Sequence, residues 1–380
     1  METYFLAVAP VLSIVGVQGD GWWTHYREQT GDLGADARGE ATLSSISNFR
    51  PGVLLGKLAA RRRTSVFWRT MPARLADAPA SLRDFIRSHQ IEALLCNHYF
   101  NLPLARRIQK WSDGVKIVCE TQDIQSRHMI VSDPRHPLTG APGHYEQYFR
   151  DELRCCGAAD EFIHLNEEEF SVFAKQLPTK RHHLLYPALP RPPRLERSPK
   201  LDIDFLIVAS NNRPNFNSLR WFLDEVWDRK LNRSARLRIV GNVDVAFQHE
   251  ASDYLTRYGP IFMGRVDDVG PWYHRARTVL APTIEGQGIS IKTIEALSYG
   301  RPFIYSPLAV RGFDRQIGES LPGLCRSAAE FKSAIKARLP SPFRLPKREI
   351  NKEALEIYET LFAPEAYQRR FQQIFAPTDR

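Results

Sequence analysis

Short apolar runs alternate with segments of helical character through the first half of the chain: TSVFWRT, SLRDFIRSHQ, IEALLCNHYF, LARRIQKW and VKIVCETQD. A strand covered on both faces reads as a continuous apolar run, and the helix that covers it keeps one polar face, so this alternation predicts βα units feeding a parallel sheet. DEFIHLNEEEF adds a strand that gives way to an acidic helix start. HLLYPALPRPPRLERSPK follows, with five prolines between Pro187 and Pro199 and four basic residues close by, and reads as a linker. A second alternation begins at once: DFLIVAS, the helix NSLRWFLDEVWDRK, RLRIVGN, IFMG, the helix VGPWYHRA, TVLAPT, the helix around IKTIEALSY, and PFIYS. The pattern predicts two doubly wound α/β halves: a first domain over 1–190, a proline-rich linker over 191–200, a second domain over 201–345, and amphipathic helices over 346–380 that pack back toward the first domain. No internal repeat at a fixed period interrupts it.

Charge and cysteine usage narrow the picture. The chain has 380 residues, 43% of them hydrophobic and 25% charged, as in an ordinary globular protein, and its formal net charge of +9 favours acidic partners. Its five cysteines, Cys96, Cys119, Cys155, Cys156 and Cys325, show no metal-ligand spacing, which fits a reducing compartment. The run YFLAVAPVLSIVGV from Tyr4 to Val17 is too short to span a bilayer, holds Pro10 in its middle and lacks a preceding basic segment, so a buried strand and loop are expected there. A cytoplasmic protein, at most peripheral at a membrane, is the expectation.

The most informative stretch is EGQGISIKTIEALSYG. It follows the strand TVLAPT, so its glycines fall at a strand's carboxyl edge, where open α/β sheets bind ligands. Ser290 or Ile291 opens a helix whose Ile291, Ile294 and Leu297 repeat at threefold spacing, and Gly300 with Pro302 stops it. Unpaired N–H groups and a partial positive charge at such a helix start attract phosphate. Lys292 in the first turn adds a full charge that is unfavourable for the helix itself unless an anion is bound. Glu295, one turn on, can accept hydrogen bonds from sugar hydroxyls. A tight turn with an ordinary Lys292–Glu295 pair is the competing explanation.

Several segments, taken in order over about 110 positions, carry a family resemblance. FLIVASNNRPNFNSLRWFLDEVW, LRIVGN, FMGRVDDVGPWYHRARTVLAPT and GQGISIKTIEALSYGRPFIYSPLAVRGF resemble the C-terminal domain of GT-B glycosyltransferases grouped with family 4 (glycosyl transferases group 1). In the first half, IVCETQDIQSRH resembles the strand and loop that face the reaction centre. The resemblance implies an α/β GT-B architecture, two Rossmann-like domains facing a cleft, and a metal-independent transfer of sugar from a nucleoside-diphosphate donor to a hydroxyl of a glycan or lipid-linked acceptor. It implies a ribose contact for Glu295, phosphate contacts for the backbone of Gly288, Ile289 and Ser290, a catalytic role for Lys292 in neutralising the phosphates, places in the donor site for Gly286 and Gln287, and a base-cradling role for Arg265 and Val266. Asn212, Arg213 and Asn215 would line the donor site, Arg213 as a second phosphate ligand. The family's first glutamate lies eight positions before the second, and here that position is Gln287. An epimerase on the same fold, or a non-catalytic sugar-nucleotide or glycan-binding protein, is the alternative that this departure raises.

Asp123, after the strand KIVCE, is the candidate general base if the reaction inverts the anomeric centre, with an N-cap role as its alternative. His98, Gln122 and His128 are the acceptor-side candidates. Asp202 with Asp204, and Asp267 with Asp268, are expected to cap strand and helix starts and not to bind metal; no cofactor is expected. The basic run at Lys57, Arg61, Arg62 and Arg63 could meet anionic lipid, or be a solvated helix end. The chain shows no nucleic-acid-binding signature. Assembly of bacterial surface polysaccharide or glycolipid at the inner membrane face is the setting that the family's habit and the charge suggest.

Overall fold

A computed structural model describes residues 2–7, 10–15, 70, 83–84, 86–87, 91–111, 113–132, 144–193, 199–340 and 348–375. TSVFWRT and the basic run Lys57, Arg61, Arg62 and Arg63 lie outside the described residues, as does most of SLRDFIRSHQ. The chain divides into two compact units, Met1–Leu185 with Arg370–Arg380, and Tyr186–Arg369. Among the described residues, no helix is long and apolar enough to cross a membrane.

The first unit holds a six-stranded sheet in the order β1 (Glu2–Ala7), β2 (Pro10–Val15), β3 (Ala93–Asn97), β4 (Lys116–Glu120), β5 (Glu161–His164), β6 (Arg181–Leu184). The strands from β2 to β6 are parallel and β1 is antiparallel to β2. The N-terminal apolar run is therefore two paired strands, where one strand and a loop were expected. Pro10 opens β2, a position at which a missing N–H is tolerated. All five residues of β3 are buried. Helix α1 (Leu102–Gln109) lays Leu102, Leu104, Ala105 and Ile108 on the core, and it is followed by α2 (Gln125–Ser132), α3 (Tyr145–Cys156) and α4 (Glu167–Gln176). Strand β6, Arg-His-His-Leu, was not expected: it has one apolar side chain and lies at the sheet edge, where ladder bonds to β5 hold it.

The second unit holds a parallel sheet in the order β11 (Phe303–Tyr305), β10 (Ala276–Ala281), β7 (Ile203–Val208), β8 (Leu237–Val240), β9 (Phe262–Gly264). From β7 the chain steps outward through β8 to β9, then returns to the other side of β7 for β10 and β11. The direction reverses between β7 and β10, and the crevice at their carboxyl ends is where this topology binds ligands. Helix α5 (Arg213–Trp221) runs into a wider π turn, Phe222–Val226, that places Phe222, Leu223 and Val226 in the core beside Trp227. One unbroken helix was expected across that stretch. Helices α6 (Gly270–Arg275) and α7 (Ile291–Ser298) flank β10.

Gly300, at φ +56°, ends α7 in the left-handed conformation, and a Cβ there would lie 2.7 Å from the Leu355 side chain. Leu355 belongs to α8 (Lys352–Ile357), which continues as a π turn at Tyr358–Phe362 and then α9 (Pro364–Phe375). The Tyr358 hydroxyl donates to the Leu189 carbonyl (2.7 Å), and the Leu189 N–H donates to the Phe362 carbonyl (2.9 Å), so part of the proline-rich segment runs against these helices.

Candidate functional site

Two loops leave the sheet of the second unit at the reversal point, one after β7 and one after β10. Lys292 joins them: its Nζ donates to Ser210 Oγ at 3.3 Å, across 82 residues of sequence. Ser210 is itself held from α5, because Asn215 Nδ2 donates to its carbonyl (2.8 Å) and lies 3.1 Å from its Oγ, while Asn212 Nδ2 lies 3.2 Å from the same oxygen. The Asn212 side chain also caps α5 by accepting from Asn215 N at 2.9 Å. At the start of α7 the matching position is Ser290, which makes no capping bond. A ligand can therefore use the first N–H groups of α7.

The electrostatics fit an anion. Burial pulls the Lys292 ammonium down to about 8, the charge of Glu295 works against that, and Arg311 adds to it. Burial raises the Glu295 carboxyl, opposed by a hydrogen bond from the Tyr273 hydroxyl (3.3 Å) and by Lys292. Ile294 and Leu297 are buried, as their spacing predicted, but Ile291 is 43% exposed. Side chains of a first helical turn lean toward the N-terminus, which carries Ile291 past the sheet edge.

The glycine turn is built around Arg311. Its Nε donates to the Gln287 carbonyl (3.2 Å) and its Nη1 to the Leu308 carbonyl (3.0 Å). Gly286 has φ +147°, and a Cβ there would lie 2.7 Å from the guanidinium carbon. Gly288, at φ +64°, completes the turn, while Ile289 and Ser290 lead into α7. Gln287 Oε1 is buried without a hydrogen-bond partner. Glu285 is turned the other way and accepts from Asn217 Nδ2 (2.9 Å).

Not every expected residue joins this group. Arg213 pairs with Glu250 and lies over the Phe216 ring, 5.2 Å from its centroid. Arg265 and Val266 follow β9, the far strand of the sheet, and Arg265 is exposed. Asp202 pairs with Arg275 (2.7 Å), and Asp204 with Arg236 (3.1 Å) and Arg277 (3.4 Å), so these carboxylates serve ion pairs at the opposite end of β7, where caps were expected. Asp268 accepts from Gly270 N at 2.7 Å, as a cap for α6. Among the described residues no group of three or more His, Cys, Asp or Glu is arranged to hold a metal ion. Ser210, Tyr273 and Arg311 went unnamed in the sequence, since nothing in a single element's spacing connects them to Lys292.

In the first unit the candidates gather at the carboxyl ends of β3 and β4. His98 (φ +62°) and Gln122 (φ +66°) both adopt the left-handed conformation that a side chain disfavours, a strain of about 1–3 kcal/mol each that concentrates at functional loops. They are tied together: His98 N donates to the Glu120 carbonyl (2.8 Å), and Gln122 Nε2 and Asn97 Nδ2 donate to Glu120 Oε1. Burial raises the Glu120 carboxyl to about 7. Asp123 Oδ2 lies 3.3 Å from His128 Nε2. Behind this loop, burial raises Glu152 to about 7, although it accepts from the N–H groups of Gln125 and Ser126.

A hydrogen-bonded chain links Leu177, His182, His164, Thr121 and Glu169. His182 Nε2 lies 3.0 Å from the Leu177 carbonyl, which can only accept, so that nitrogen carries a hydrogen. His182 Nδ1 lies 2.9 Å from His164 Nε2, and His164 Nδ1 lies 3.0 Å from the Thr121 hydroxyl. Thr121 Oγ1 also lies 3.3 Å from the Ile163 carbonyl and 3.3 Å from Glu169 Oε2, so these groups share one hydroxyl hydrogen. Burial, foremost, and the Asp123 charge raise the Glu169 carboxyl to about 8, while burial lowers His164 to about 3. Glu169 was read only as part of an acidic helix start.

Residues 202–339 match the family model described as glycosyl transferases group 1. Among curated proteins no sequence matches significantly. Among solved structures, a glycosyltransferase from Rickettsia africae ESF-5 superposes with a TM-score of 0.59 at 11% identity, covering 96% of this chain and 89% of that one. Sucrose-phosphate synthase from Thermosynechococcus elongatus gives a TM-score of 0.56 at 14% identity, covering 88% and 81%. The Anabaena protein HepE, in complex with UDP and glucose, gives 0.53 at 12% identity, covering 78% and 81%. The chain has the GT-B fold, and its second unit, over residues 202–339, is similar to the glycosyl transferases group 1.

Proposed function

We propose that the protein is a glycosyltransferase that moves a sugar from a nucleoside-diphosphate donor to a hydroxyl of a glycan or lipid-linked acceptor, without a metal ion. One observation carries the reading: a half-buried lysine stands at an uncapped helix start and bridges both loops of a β7/β10 reversal point. The donor's diphosphate would take the first N–H groups of α7 and the charge of Lys292, with the backbone of Gly286, Gly288, Ile289 and Ser290 close by. Glu295 would accept from the ribose. Asn212 and Asn215 hold the Ser210 loop in place, and Arg265 and Val266 would cradle the base. As the bond to the anomeric carbon breaks, charge develops on the leaving diphosphate, and donors fixed in advance stabilise it without reorganising. Lys292 and the helix start do what a divalent cation does elsewhere.

In the first unit, Asp123 would accept the acceptor hydroxyl's proton in an inverting reaction, with His98, Gln122 and His128 shaping the acceptor side. In a retaining reaction the leaving phosphate takes that proton and Asp123 orients the acceptor. The basic charge of the chain suits an acceptor presented at an anionic membrane surface. UDP-sugars are the first donors to test, since HepE is seen with UDP and glucose.

The test is release of nucleoside diphosphate from UDP- and GDP-sugars, with and without glycan or lipid-linked acceptors. Acceptor-dependent release that survives EDTA is expected. Donor conversion with no acceptor present would make the protein an epimerase, and restoration of activity by Mg2+ or Mn2+ after chelation would contradict the metal-free reading.

A further inference from the structure

Arg311 lies outside the glycine-rich motif, yet its guanidinium is the body around which the donor loop is folded. Nε and Nη1 bind two carbonyls from different segments, Gln287 on the turn and Leu308 on the 3-10 turn Pro307–Val310 after β11. The fork of a guanidinium can hold two acceptors in fixed directions, which an ammonium cannot. Gly286 is pressed against it so closely that a Cβ would come within 2.7 Å of Cζ and 2.8 Å of Nη2. Two residues on, Gln287 Oε1 is buried with no donor, so the direction of that amide is set by a backbone that Arg311 grips.

We propose that Arg311 is a positioning residue of the donor site: it clamps the Gly286–Gln287 turn that leads into α7, and it places a second positive charge beside Lys292. The inference rests on the donor-site reading above. Lys292 feels Glu295 from its own helix and Arg311 from the segment after β11, and Arg311 works with burial to lower its ammonium. The clamp and the charge are separable, because lysine keeps the charge but loses the fork.

Binding of UDP and of GDP to the full-length protein, titrated calorimetrically from pH 6.5 to 9.5, distinguishes the two contributions. Wild-type affinity is expected to fall as pH rises through about 8, when Lys292 loses its proton. Arg311→Ala should bind about tenfold more weakly at pH 7, yet its fall should come at higher pH, since the cation that destabilised protonated Lys292 is gone. Arg311→Lys should show the weaker binding with the midpoint unmoved. A residue that only stabilised the fold would weaken binding without moving the midpoint in either variant. If wild type binds and Arg311→Ala keeps both affinity and midpoint, the positioning role is overturned; if wild type binds neither nucleotide at any pH, the donor-site reading itself fails.

Discussion

Lys292→Ala is expected to lower glycosyl transfer by about 10²–10³-fold while leaving the protein folded, the loss seen when one fixed donor to a developing negative charge is removed. The structure gives reasons for both halves. Lys292 is the full charge at the α7 start, and it holds Ser210 across the reversal point, so the variant loses an electrostatic partner and one tether of the β7 loop. Its ammonium is lowered to about 8 mainly by burial, which means that folding opposes that charge, so alanine should not destabilise the unit. Turnover and thermal unfolding measured on the same preparation check this. Near-normal transfer, or a collapse of the melting temperature, contradicts it.

Glu169 gives the second large effect, on stability. Glu169→Ala removes the carboxyl that the Thr121 hydroxyl meets at 3.3 Å and empties a buried position, so a loss of about 2–4 kcal/mol is expected. Glu169→Gln keeps the shape and an acceptor oxygen without a titrating group and should cost far less. The pH dependence follows from the raised carboxyl. A group whose folded value lies above its unfolded one contributes stability that is complete below about 4.5 and lost as pH rises through the folded value, about 8 here. Glu120 and Glu152 have the same sign with losses ending near 7, and His164, held at about 3, has the opposite one below 6.5. Wild type should therefore lose stability from pH 6.5 to 8, and Glu169→Gln should reduce that slope by about 1.4 kcal/mol per pH unit. Urea unfolding at several pH values tests it. Gln as damaging as Ala, or an unchanged slope, would mean that Glu169 is not held as an acid.

How much of this could be read beforehand depends on the range of the interaction. The donor helix was legible because its signals are local: a strand, two glycines, Ile294 and Leu297 three apart, and Gly300 at the stop. That the second half is a parallel sheet with covering helices followed from the alternation of strand and helix. What pattern could not reach is contact between distant loops. Ser210 is 82 residues from the lysine it meets, and Arg311 is 24 residues from the carbonyl it holds. Burial that contradicts composition was equally hidden, since three consecutive glutamates look like a solvated helix start, and only Glu169 of them is buried. Strand β6 shows a further limit: ladder bonds make a strand of a sequence with almost no apolar signal. The strained loop residues His98 and Gln122 carry no mark in the sequence, because the left-handed conformation is imposed by their neighbours.

Amide hydrogen exchange with and without UDP, GDP and their sugars tests most directly whether the β7/β10 reversal point binds a nucleotide sugar. The account predicts slowed exchange in peptides covering 209–213 and 286–293, lost in Lys292→Ala. Protection absent from both segments at saturating nucleotide, or confined to the first unit, would contradict it.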